Sequence, residues 1–126
     1  MATHILLIED NTRTAQLLKM DLADEGYQVS MAHDGLSGLA LANRICPDLV
    51  LLDWRLPYLS GLEICDKLRR LGHTFPIMFL TAMTDNEHRA SGLAVGANDY
   101  VIKPFDPDAL LAKIRNYFQS SDLTVA

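Results

Sequence analysis

Leu49-Val50-Leu51-Leu52-Asp53 is four aliphatic residues brought to a halt by an acid. A run this short is too brief for a buried helix, and its unbroken apolar character suits a strand covered on both faces. Upstream, Pro47 stops a helical pattern that runs from a capping Asp34 through Leu39 and Ala42 to Arg44. Downstream, a loop holding Pro57 and Gly61 leads to a helix near Leu62 to Arg70. The same phrase recurs along the chain. Ile5-Leu6-Leu7-Ile8 halts at Glu9-Asp10, Ile77-Met78-Phe79-Leu80 at Thr81, and Tyr100-Val101-Ile102 at Lys103-Pro104. Gln28-Val29-Ser30-Met31 alternates polar and apolar, as a half-exposed edge strand does.

A helical pattern follows each run. The first is capped by Asn11 or Thr12, presents Ala15, Leu18 and Leu22 on one face and stops at Gly26. The fourth runs from about Asp85 to Val95 and closes at Gly96. The fifth has Asp106 as its N-cap and Pro107 at its first position, and reaches about Gln119. Five strands, each followed by a helix, predict an α/β fold. It is a doubly wound, flavodoxin-like parallel sheet of five strands in the order 2-1-3-4-5, covered by five helices. Residues 1–120 make one domain, and residues 121–126 a tail or the start of a linker.

Composition narrows the function classes. The 126 residues carry a net charge of −5, without a Lys/Arg run that would wrap nucleic acid. Cys46 and Cys65 lie outside any CxxC spacing and read as reduced thiols. No apolar run approaches the ~20 residues that span a bilayer, so the chain reads as soluble and cytoplasmic, with no membrane partner. His4, His33, His73 and His88 share no ligand spacing and read as surface or turn residues.

In a doubly wound sheet, ligands bind beyond the carboxyl ends of the strands near the switch point. This topology collects Glu9, Asp10, Asp53, Thr81 and Lys103 on one rim. Carboxylates packed together repel one another, and a divalent cation relieves the repulsion. An all-oxygen set favours a hard ion such as Mg²⁺. A carboxylate can attack phosphorus to give an acyl phosphate, a reaction that needs mainly positioning and charge stabilisation. Asp53 ends the central strand and is the candidate nucleophile. Lys103 supplies a positive charge and Thr81 a hydroxyl donor.

With these residues in place, the chain resembles the receiver domains of two-component response regulators over about residues 3 to 119. The matching stretches are ILLIED (5–10), PDLVLLDWRLP (47–57) with Gly61, Leu80-Thr81-Ala82, and GANDYVIKPF (96–105). The resemblance implies that Asp53 accepts a phosphoryl group from a sensor histidine kinase. The chain would catalyse its own phosphotransfer and slow dephosphorylation, without being a turnover enzyme. It implies that Glu9, Asp10 and Asp53, with the Arg55 main-chain carbonyl, hold Mg²⁺ or Mn²⁺. It places Lys103 at the phosphoryl group, before a cis peptide to Pro104, and makes Thr81 and Tyr100 the moving switch pair. Arg55 and Met83 occupy positions where the family tunes dephosphorylation.

The Lys103-Pro104-Phe105 ending and Leu110 to Arg115 look most like the OmpR-type subfamily. Its members carry a DNA-binding domain after the receiver, absent from this chain, and pair on phosphorylation through the fourth helix, fifth strand and fifth helix. Arg89, Asp99 and Lys113 match that partner face, while Asn98 stands where an acid is frequent and Ala109 where a glutamate is frequent. The function implied is Mg-dependent phosphorelay signalling, as the regulatory part of a transcription regulator. The alternative is a stand-alone or phosphorylation-independent interaction receiver. An aspartyl phosphohydrolase needs a second acid at position 55, which is Arg. An FMN-binding module needs a small-residue phosphate loop where Glu9-Asp10-Asn11 stands.

Overall fold

The computed structural model describes residues 3–82 and 86–125, with side chains described for 3–82 and 89–118. Strands and helices alternate: β1 (His4–Ile8), α1 (Thr12–Asp24), β2 (Gln28–Ala32), α2 (Gly35–Ile45), β3 (Leu49–Asp53), α3 (Gly61–Arg70), β4 (Ile77–Thr81), α4 (Asn86–Ala94), β5 (Asp99–Ile102) and α5 (Pro107–Val125). The five strands form one parallel sheet in the order β2-β1-β3-β4-β5, the order predicted.

The three inner strands are apolar apart from one polar end residue each, because each face meets helices. Leu6, Ile8, Val50, Leu52, Ile77 and Phe79 point to one side and pack with Ala42 of α2 and Ile64, Cys65 and Leu68 of α3. Ile5, Leu7, Leu49, Leu51, Met78 and Leu80 point to the other side, against Ala15, Leu18 and Leu22 of α1 and Leu110 and Ile114 of α5. Period-two side-chain alternation thus divides each run between two cores. The edge strands β2 and β5 are only partly buried.

Caps set where the helices start. Asn11 accepts from the Thr14 amide at 2.9 Å, which settles the choice between Asn11 and Thr12. Asp34 caps α2 through the Ser37 amide at 2.7 Å. Ser60 and Glu63 form a reciprocal capping box on α3. Asp106 accepts from the Asp108 amide at 3.1 Å, ahead of α5. The fifth helix continues to Val125 rather than ending near Gln119. No Gly or Pro interrupts 119–125, so the backbone has no local reason to leave the helix. Asp85, expected to open the fourth helix, lies outside the described residues. His4 begins β1 instead of sitting in a turn, and its ring meets the Ser30 hydroxyl at 2.7 Å.

Candidate functional site

The sheet register assembles the site. Ile8 of β1 pairs with Leu52 of β3, so the next residues, Glu9 and Asp53, leave the two strands side by side. Asp53 is level with Leu80 of β4, and Thr81 with Ile102 of β5. Thr81 therefore stands one residue beyond the level of Asp53, and Lys103 one residue beyond Thr81. The Lys103 amide donates to the Thr81 carbonyl at 2.6 Å, tying that corner of the rim together. The peptide between Lys103 and Pro104 is cis.

Glu9, Asp10 and Asp53 each offer a carboxylate oxygen, all within 4.8 Å of one another. Glu9 is completely buried and Asp53 is 7% exposed, whereas Asp10 faces solvent. The Lys103 ammonium lies 2.5 Å from Glu9 Oε1 and 3.4 Å from Asp53 Oδ2. Asp53 Oδ1 is 3.4 Å from the Arg55 amide. The Trp54 amide donates to Leu80 O at 3.0 Å and its carbonyl accepts from Gly61 at 2.9 Å, which fixes the chain just after the acid. Gly61 is a glycine for lack of room: a Cβ there would sit 2.3 Å from the Asp53 carbonyl oxygen. Below Glu9, its own carbonyl oxygen is met by the His33 ring at 3.0 Å.

Two buried carboxyls and one ammonium divide one charge deficit unequally. Burial above all, and then the Glu9 carboxylate, push Asp53 up to about 8, against the pull of Lys103. Burial also acts to raise Glu9, but the neighbouring Asp53 carboxyl and the Lys103 ammonium more than offset it, and Glu9 is held below its usual range. The shorter Lys103 contact explains the division: the ammonium sits closest to Glu9, and Asp53 keeps the proton. Lys103 is itself raised, because both carboxylates outweigh its own burial.

This donor set fits a divalent cation. Among the described residues, Glu9 Oε2 is buried without a hydrogen-bond partner, an expensive condition for a carboxylate oxygen. It belongs to an all-oxygen trio of the kind that hard cations accept. Glu9, Asp10 and Asp53 are the side chains that would hold the ion.

Tyr100 lies on β5 at the edge of the sheet, half-buried, with the Arg89 guanidinium 4.6 Å from its ring centroid. Lys113 of α5 pairs with Asp99 at 3.2 Å. Thr81 is buried at the end of β4. Met83 lies outside the described residues. The structure thus brings Glu9, Asp10, Asp53 and Lys103 into one cluster, with Arg89, Asp99, Tyr100 and Lys113 on a separate face around β5. Sequence reasoning missed the primacy of the Glu9–Lys103 contact. Trp54, open in the sequence between a packing residue and a lid over the site, packs its ring on Phe79, with centroids 4.9 Å apart. A second feature that sequence reasoning passed over is Tyr58, exposed in the loop after β3 at a positive φ of 73°.

Comparison with known proteins gives one answer. The family described as "Response regulator receiver domain" matches residues 5–115. The chain is 42% identical over 111 residues to the transcriptional regulatory protein PcoR of Escherichia coli, covering 88% of this chain and 49% of PcoR. It is 44% identical over 113 residues to the response regulator ArlR of Staphylococcus aureus (strain Mu50 / ATCC 700699), covering 90% of this chain and 51% of ArlR. The chain therefore spans about half the length of the curated relatives it matches. Among solved structures, a CheY-like receiver domain from Methanospirillum hungatei JF-1 superposes with a TM-score of 0.92 at 29% identity, over 98% of this chain and 99% of that one. The "BeF3 Activated DrrB Receiver Domain" superposes at 0.84 with 28% identity, over 94% and 99%.

Proposed function

The chain belongs to the receiver domains of two-component response regulators, and from that premise we propose that Asp53 is its phosphoacceptor and a sensor histidine kinase its donor. The observation that carries the reading is the cluster itself: three carboxylates within 4.8 Å, with Lys103 spanning Glu9 and Asp53. In the transfer, an Asp53 carboxylate oxygen forms a bond to phosphorus as the bond from phosphorus to the donor's imidazole nitrogen breaks. The nitrogen keeps that electron pair. Asp53 must first lose the proton that its buried setting favours. Lys103 is placed to move from Glu9 toward the oxygens of the arriving group. Thr81 supplies a hydroxyl on the opposite strand.

Glu9, Asp10 and Asp53, with the Arg55 carbonyl, would hold Mg²⁺ or Mn²⁺, which when bound favours the ionised carboxylates and neutralises phosphoryl charge. The chain is an acceptor that assists its own modification and slow dephosphorylation, not a turnover enzyme. Thr81 and Tyr100 carry the change to the face made by α4, β5 and α5, where Arg89, Asp99 and Lys113 would meet a second copy. PcoR is a transcriptional regulator. We accordingly assign residues 1–120 to the regulatory part of a cytoplasmic DNA-binding regulator, with 121–126 leading out of it. Among the described residues no helix is long and apolar enough to cross a membrane.

Intact mass after incubation with Mg²⁺ and acetyl phosphate tests the assignment. Wild type is expected to gain one phosphoryl group that hydroxylamine removes, and Asp53→Asn to gain none. Equal labelling of both proteins would reject Asp53. No labelling, together with no binding of beryllofluoride, would favour a phosphorylation-independent interaction module.

A further inference from the structure

Trp54 follows the phosphoacceptor directly, and its ring does not stay at the site. It reaches across to α4. A Cβ built on Gly92, in the last turn of that helix, would lie 3.2 Å from Trp54 Cζ3 and 3.1 Å from Phe79 Cε2. Gly92 is thus a notch, and the Trp54 and Phe79 rings fill it. The space left among Trp54, Phe79, Thr81, Arg89, Gly92 and Tyr100 is about 10 Å³, at most the room of one water.

The C-terminal end of the helix is tied down. Arg69 of α3 donates from Nε to the Gly96 carbonyl at 2.9 Å, just past the C-terminus of α4, and from a terminal nitrogen to Asn98 at 3.0 Å. The Cys65 thiol reaches the Val95 carbonyl at 3.7 Å. The Gly92 notch lies between that clamp and Arg89, whose guanidinium rides over the Tyr100 ring.

We propose that Trp54 and Gly92 form a knob-and-notch lever that couples the state of Asp53 to the position of α4, beside any route through Thr81. Trp54 is the residue next to Asp53, and its backbone is fixed to β4 at Leu80. A change of geometry at Asp53 reaches the ring through one peptide unit, and the ring bears directly on the helix. Lifting α4 takes Arg89 off Tyr100. Trp54 and Gly92 are positioning residues here; neither touches the phosphoryl group.

Coupling is reciprocal: whatever at Asp53 moves α4 must bind differently when α4 is displaced. The inference rests on the phosphoacceptor reading, and the test keeps the two apart. Calorimetric titration with beryllofluoride in Mg²⁺, and hydrogen exchange of α4 amides, would be recorded for wild type, Gly92→Ala, Trp54→Leu and the double variant. Each single variant is expected to shift beryllofluoride affinity by about fivefold or more and to change hydrogen exchange in α4. Gly92→Ala crowds the notch and Trp54→Leu empties it, so in the double variant the smaller side chain makes room for the methyl and the two effects should not add. Binding by wild type, with both singles within about twofold of it, would reduce the contact to mere packing and overturn the lever. Absence of wild-type binding would overturn the phosphoacceptor reading and the lever with it. Should Gly92→Ala fail to fold, Trp54→Phe carries the comparison, since its ring still packs on Phe79 but falls short of Gly92.

Discussion

Glu9 and Asp53 share one proton because each is buried and only one can have the nearer end of Lys103. The ammonium is 2.5 Å from Glu9 and 3.4 Å from Asp53, so Glu9 is the ionised partner. This fixes a pH dependence in the metal-free protein. An unfolded Asp53 ionises near 3.8, whereas the folded one holds its proton to about 8. Between those values the folded state binds more protons than the unfolded, so stability falls as pH rises. The limiting slope is about 1.4 kcal/mol per pH unit. Glu9 is shifted the other way, and its contribution is lost only as pH falls below its ordinary 4.5. Urea unfolding in chelator at pH 5 and pH 8 should therefore show wild type losing stability relative to Asp53→Asn, with Mg²⁺ at pH 8 reversing the loss. Parallel pH profiles for the two proteins would contradict the assignment of the proton to Asp53.

The elements are held in place by a few polar clamps at the end of the sheet away from the site. Arg69 is the largest. It donates to the carbonyls of Gly96 and His73, each at 2.9 Å, and to Asn98 Oδ1 at 3.0 Å. Asn98 Oδ1 also accepts from the Ile77 amide at 2.9 Å, and Asn98 Nδ2 reaches the Tyr117 hydroxyl at 3.3 Å. One guanidinium thus joins α3 to the start of β4 and the turn before β5, and through Asn98 to α5. Arg69→Ala should cost about 2–3 kcal/mol, since it strips a charged donor from three acceptors at once. Denaturant unfolding measures this, and a loss within the ~0.5 kcal/mol of an ordinary surface change would show the clamp to be idle. The network also gives Asn98 a purpose. Its amide is engaged within the chain, Oδ1 accepting from Arg69 and Ile77 and Nδ2 reaching Tyr117.

At the scale of the molecule, the sheet is a partition shared by two cores. Each inner strand gives alternate residues to both, so neither core can open without exposing the other's strands. Loss of one face should carry the other with it in a single transition. Trp54, the chain's single tryptophan, sits with the core beneath α2 and α3. Its fluorescence reports that face, while far-ultraviolet circular dichroism reports helices on both. The two thermal melting curves should superimpose. Separated midpoints would mean that the cores unfold independently.

The strand-helix alternation, the strand order and the rim residues were legible in the sequence because each depends on local rules. A buried strand must be apolar, its end can be polar, and right-handed crossovers leave few ways to order the strands. Asp53 and Lys103 could be placed on one rim without coordinates for that reason. Tertiary structure alone decided which carboxylate Lys103 favours, because a difference of 0.9 Å between two contacts depends on how β1, β3 and β5 lie across the sheet. It also decided what the glycines at 61 and 92 are for. In sequence Gly61 is a loop residue and Gly92 a weak point in a helix. In space one admits the Asp53 carbonyl and the other the Trp54 ring, and such close approaches exist only between segments that folding brings together.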